Sequence, residues 1–227
     1  MNDIPILFPI FVVAIIVIAV YAAKAAKQRR EALKALAAEM GLRFDPNKKP
    51  ASPREYGMFE LFDRGSSRRR YNTLEGDFTF AGHRLYARLG DYQYKTSSGT
   101  GKNRRTHTHS HSYLLIELPQ ETPEIQVRPE NFLDRIAAAA GFNDLDFESV
   151  EFSDAFHVKS SDDRFAYALF HPRMMELLLR ERPPCLQMTG GLLLISGGGT
   201  WKVEQFRPQI EFVRQFVEHW PRHLLAA

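Results

Sequence analysis

Residues 4–23 carry no charge: Ile, Leu, Phe, Val and Ala run together, with Pro5 and Pro9 early and Tyr21 late. Twenty helical residues rise about 30 Å, the thickness of a bilayer's hydrocarbon core. A core helix of a globular domain keeps a polar stripe, and this segment has none. Pro5 suits a first helical turn, whereas Pro9 is expected to bend the helix or move its start inward. Tyr21 falls where an amphipathic ring meets the interface. The remaining residues are polar enough to hold the mean hydropathy of the whole chain at −0.32. One anchor bearing a polar domain is therefore expected, which excludes both a multi-pass transporter and a wholly soluble enzyme.

Charges at the two ends of this segment set its direction. Only Asp3 precedes it, while Lys24, Lys27, Arg29, Arg30 and Lys34 follow. The positive-inside rule places the basic side, and the C-terminal domain, in the cytoplasm at the inner membrane. A cleaved secretory signal has its basic residues on the other side of a shorter apolar run. The lone cysteine, Cys185, permits no intrachain disulfide, as suits a reducing compartment.

The rest predicts an α+β domain. Residues 1–40 form the transmembrane helix and its helical extension, closed by Gly41; residues 41–58 read as a proline-rich linker; residues 59–227 form the domain. Residues 74–80, 83–95 and 106–118 read as a β-meander with a loop at 96–105. A strand near 125–127, a helix over 130–140, and strands at 146–152 and 155–159 follow. Ser161 or Asp162 caps a helix that restarts at Pro172, and Gly190-Gly191 joins two short strands. Pro208 opens a last helix with an apolar face of Ile210, Val213, Phe216, Val217 and Trp220. The fold class is thus a transmembrane helix followed by a mixed antiparallel-sheet and helix domain.

Charge is divided along the chain. Residues 1–112 hold 19 Lys and Arg against 10 Asp and Glu, and residues 113–227 hold 11 against 17. The basic half is the one next to the membrane. Lys24, Lys27, Arg29 and Arg30, with Arg68, Arg69, Arg70, Lys102, Arg104 and Arg105, are the candidate contacts to an anionic leaflet.

Candidate chemistry is sparse. His107, His109 and His111 alternate, so a strand points all three to one face, and neighbouring imidazoles could share a metal ion. Pairing Lys95 with Thr106 would set Tyr94 and Tyr92 opposite His107 and His109. This histidine strand is the basis for an alternative reading as a membrane-tethered, metal-dependent hydrolase. Ser196 to Gly199 lacks the lysine of a phosphate-binding loop and reads as a turn. Asp144, Asp146 and Glu148 lack the glycine and distal glutamate of a calcium loop. Tyr86, Tyr92 and Tyr94 among Arg84 and Arg88 resemble a base-stacking platform, but a membrane tether and the liking of strands for tyrosine argue against nucleic acid. No cofactor is expected, and the oligomeric state is left open.

The run Phe152-Ser-Asp-Ala-Phe156-His-Val158-Lys-Ser-Ser-Asp162, continued by Ala166, Leu169, Pro172 and Met174-Met175, resembles the signature segment of an uncharacterised bacterial membrane-associated family. Leu61-Phe62 and the hairpin at 75–94 match its upstream features, so the resemblance spans residues 61–195. It implies a bacterial, membrane-associated α+β protein and carries no activity or catalytic residues. The leading expectation is a non-catalytic binding, scaffold or adaptor module with a protein partner. An anionic-lipid-sensing module is a further alternative.

Overall fold

The computed structural model describes residues 4–51, 56–99, 101–130, 145–221 and 224. The helix expected at 130–140 lies, past Glu130, outside them. Helix α1 is continuous over Ile4–Glu39. Its portion Phe8–Glu39 is long and apolar enough to cross a membrane, and residues 8–28 are exposed throughout. Pro9 neither stops the helix nor shifts its start: it falls in the second turn, where the bond it forgoes is to the carbonyl of Pro5. The other end of α1 is core. Leu33, Leu36 and Ala37 are buried, one face of the helix laid on the domain. Gly41, at φ +69°, ends it with a paired cap: its N–H donates to Ala38 and that of Leu42 to Ala37.

Among the described residues nine strands form one sheet, every pair antiparallel: β1 Arg43–Asp45, β2 Lys49–Pro50, β3 Ser66–Phe80, β4 His83–Ser98, β5 Arg105–Glu117, β6 Ile125–Pro129, β7 Phe156–Ser160, β8 Leu186–Thr189 and β9 Leu192–Ser196. Their order is β1-β3-β4-β5-β9-β8-β6-β7, with β2 also on β3. The proline-rich linker thus contributes two edge strands. Helices α2 Glu60–Asp63, α3 Val150–Ala155, α4 Asp163–Leu169, α5 Pro172–Glu181 and α6 Phe206–Glu218 complete the α+β fold. The larger core joins the end of α1 and helices α3 to α6 to one sheet face, through Leu74, Leu89, Leu114, Val158 and Leu193 among others. On the opposite face Phe59, Leu61 and Phe62 cover Tyr92, Tyr94, Tyr113, Leu115 and Leu194.

Three expectations shift. Strand β3 begins eight residues early, because bulges between Ser66 and Arg69 and between Tyr71 and Leu74 carry it past positions that break alternation. Residues 146–149 are irregular and 150–155 helical: Ser149 Oγ accepts from the Phe152 N–H, and a cap prevails over the strand pattern. Helix α6 starts at Phe206, with Pro208 in its first turn. Asp162 is the cap of α4, accepting from the Phe165 N–H at 3.0 Å.

Candidate membrane-facing interface

The junction between α1 and the sheet is polar at one point. Gly90 has φ +152°, and a Cβ there would lie 2.5 Å from the carbonyl oxygen of Asn72, itself left-handed at the β3 bulge. This close approach turns Asn72 and Asp91 toward each other. The Asn72 amide donates to Asp91 Oδ2 at 2.9 Å, and Ser112, the cross-strand partner of Asp91 on β5, donates to Oδ1 at 2.9 Å. From α1, Arg29 completes the cluster. Its Nε and Nη2 donate to the two carboxylate oxygens at 2.8 and 2.6 Å, and its Nη1 to the Trp201 carbonyl at 2.7 Å. Ser112 Oγ in turn accepts from the Trp201 N–H at 3.0 Å, and the Ser112 N–H donates to Gly199. The glycine run at 197–199 is therefore a turn that brings Trp201 onto β5.

Asp91 is fully buried, and a buried carboxylate without a partner would be costly. Burial works against the Arg29 charge, but the bonds and charge of Asp91 outweigh it and hold the guanidinium above its ordinary value. Arg29 is thus withdrawn from the lipid-contact set: its fork is committed to a carboxylate inside the fold.

Two contacts fix how α1 runs over the sheet. Arg29 lies on Asp91 of β4, whereas Leu42, just past the end of α1, lies against Gly76 of β3, which pairs with Ala87 of β4. Advancing along α1 therefore means going backward along β4. The apolar half of α1 points the same way as the last residues of β4, the first of β5 and the first of β3.

That end of the sheet is where most of the candidate cations gather. Lys24, Lys27 and Arg30 are exposed on α1 just past the apolar run, and Arg69, Arg104 and Arg105 are exposed on β3 and the β4–β5 hairpin. Lys102 belongs to the same hairpin turn, Gly101–Asn103. Arg68 is tied to α2 and its flank, donating to the carbonyls of Asp63 and Arg64, and Arg70 is half-buried with a partner of its own. Arg104 reaches back to Ser97 at 3.4 Å.

The histidine strand does not assemble a metal site. Among the described residues no group of three or more His, Cys, Asp or Glu side chains is placed to hold an ion. Instead His109 and His111 stack on the Tyr94 ring, at centroid distances of 4.8 and 5.6 Å, and His109 Nε2 meets Thr96 Oγ1 at 2.8 Å. His107 is exposed beyond them. The register differs from expectation by two residues. Tyr94 faces His109 and Tyr92 faces His111, because β4 continues to Ser98 and Gly99, at φ +82°, closes a tighter hairpin. Burial first, then the nearby Arg64 and His109 charges, lower the pKa of His111, whose Nε2 has no partner among the described residues.

Tyr86 and Arg88 are likewise bound within the fold, both donating to Glu75. The Cys185 thiol is pushed up to about 12 by burial, which makes it a poor nucleophile.

No protein-family model matches the chain, and no curated protein matches it. Among solved structures, the mycobacterial trehalose monomycolate transport factor A, TtfA, shares the fold with a TM-score of 0.58 at 11% identity. The likeness covers 86% of this chain and 96% of that one.

The sequence reading missed the Arg29–Asp91–Ser112–Trp201 cluster. One signal for it was available. Asp91 is the only acidic residue between positions 78 and 116, in the middle of a strand and next to a glycine.

Proposed function

We propose that the chain is a single-pass protein of the inner membrane whose domain stands in the cytoplasm as a non-catalytic accessory module for a membrane partner. The observation that carries this reading is the continuity of α1. One helix is apolar and exposed over residues 8–23 and then, without a break, is locked to the sheet through Arg29 and Asp91. Such a joint holds a domain at a fixed place and angle to the bilayer, which suits positioning more than diffusion. The basic flank after residue 23 supports the cytoplasmic side. The fold likeness to a transport factor supports an accessory part in membrane transport as the kind of role to test. Within the sheet, Asp91 and Glu75 serve to bind arginines of the same chain.

The test joins topology to partnership. A C-terminal fluorescent-protein fusion is expected to glow and a phosphatase fusion to stay inactive. The full chain should resist extraction by salt and alkaline carbonate. Purified in mild detergent from its native membrane, it should carry a second membrane protein in fixed ratio. Phosphatase activity, release by salt, or purification of the chain alone would each overturn the reading.

A further inference from the structure

The membrane-ward end of the sheet differs in charge from its other end. Residues 64–74 and 92–116, which cover the first part of β3, the last part of β4 and all but the last residue of β5, contain eight Lys and Arg and no Asp or Glu. The acidic residues of these three strands, other than buried Asp91, are Glu75, Asp77 and Glu117, all toward the opposite end. Of these cations Arg69, Arg104 and Arg105 are exposed, whereas Arg64, Arg68, Arg70 and Lys95 are half-buried.

Reach can be estimated from the Arg29–Asp91 contact. From Arg29 back to Ala23, where the apolar run ends, α1 rises about 9 Å. From Asp91 on to Ser98, β4 extends about 23 Å in the same general direction. The hairpin therefore reaches the headgroup layer even when its strands lean far from the helix axis. Its tip is Ser, Thr, Gly, Asn, Lys and Arg, which suits that layer and not the hydrocarbon below it.

We propose that the β4–β5 hairpin, with the exposed start of β3, docks on anionic lipid headgroups of the leaflet that α1 leaves. The proposal rests on the reading of α1 as a membrane anchor and adds a second, electrostatic contact to it. The rigid joint at Arg29 presents the hairpin to the surface, and the acid-free strand ends meet no repulsion there. Arg104 and Arg105 at the tip carry the contact, and Arg69 supports it from β3. Each basic residue close to such a leaflet shifts the docked fraction about five-fold, and salt weakens the attraction as the Debye length shrinks.

The full chain, reconstituted in nanodiscs, tests this directly. With Cys185→Ala removing the native thiol, a Ser98→Cys substitution gives a single label site. The label is read by quenching from a headgroup nitroxide lipid, in discs of phosphatidylcholine alone or with one third phosphatidylglycerol. Strong quenching is expected only with phosphatidylglycerol, and it should vanish at high salt. The double variant Arg104→Gln, Arg105→Gln should lower the docked-to-undocked ratio about 25-fold, the product of two such steps. Arg84→Gln, at the far end of the same strands, should leave it unchanged.

Equal quenching in neutral discs, or none in anionic ones, would overturn the proposal. A tip that stays unquenched in a chain still held by the disc would leave the basic end open to an acidic macromolecule instead. Loss of the chain from the disc in salt would instead overturn the anchor reading beneath it.

Discussion

Arg29 and Asp91 are 62 residues apart, yet the guanidinium makes two bonds to the carboxylate and a third to Trp201. Removing the acid leaves an arginine, an asparagine and a serine without their acceptor. Breaking a fully buried pair costs about 3–5 kcal/mol. The Arg29 side chain is 21% exposed, so water recovers part of that. Asp91→Ala is therefore expected to destabilise by roughly 2–4 kcal/mol, read as an earlier urea midpoint, with trypsin cutting after Arg29 or Arg30 in the folded protein. Arg29→Lys should lose part of this, since one ammonium cannot reproduce the fork. His111 supplies a pH dependence of known sign. Its folded pKa is depressed, so below about 6.5 the unfolded chain binds a proton that the folded chain refuses. Stability is then lost as pH falls from about 6.5 through the depressed folded value. His111→Phe, which can still stack on Tyr94, should flatten that part of the urea-midpoint profile. An unchanged slope would place the titration elsewhere. The alternation that put the three histidines on one face was legible. That histidines meet Tyr92 and Tyr94 across the strands was legible too, but not that these are His109 and His111, because the register depended on how tightly the hairpin closed.

Among the elements, α1 has two environments within one helix. The sequence showed the apolar half plainly, and Leu33, Leu36 and Met40 at helical spacing marked an extension. The spacing alone did not say that this extension completes the domain's own core, since packing against Leu42 and Leu74 is set by the chain reversal at Gly41. The meander was legible for a similar reason of period, but its true length was hidden by the two bulges of β3. Bulges keep pairing going where alternation fails. Gly90 is the position on which the second bulge depends. Gly90→Ala would force a Cβ against the Asn72 carbonyl at 2.5 Å and a residue with a side chain to hold φ at +152°. A loss of about 1–3 kcal/mol is expected, measured as a fall in the thermal midpoint, with the Arg29 joint loosened in the same step. Gly82, in the far turn, meets nothing within 4 Å, and Gly82→Asn is the matched control because asparagine tolerates its positive φ.

At the scale of the whole molecule, the boundary between anchor and domain does not fall where the linker composition suggests, near residue 41. Leu33, Leu36 and Ala37 belong to the same buried cluster as the sheet, and Glu39 pairs with Arg207 of α6 at 2.7 Å. Residues 8–28 touch none of this core and are exposed along their length. A chain shortened to begin at residue 24 should therefore stay folded in water, keeping the stability of the full protein's domain. One shortened to begin at residue 41 exposes Leu74 and leaves Asp91 buried without its arginine. Two buried leucines account for about 3–6 kcal/mol and the unpaired carboxylate for about 2–4 kcal/mol more, which for a domain of this size lowers the thermal midpoint by about 10–40 °C. Circular dichroism melts of the two shortened chains compare them directly. Equal midpoints would show that the end of α1 merely rests on the domain, and that the anchor and the sheet are joined by a tether instead of a joint.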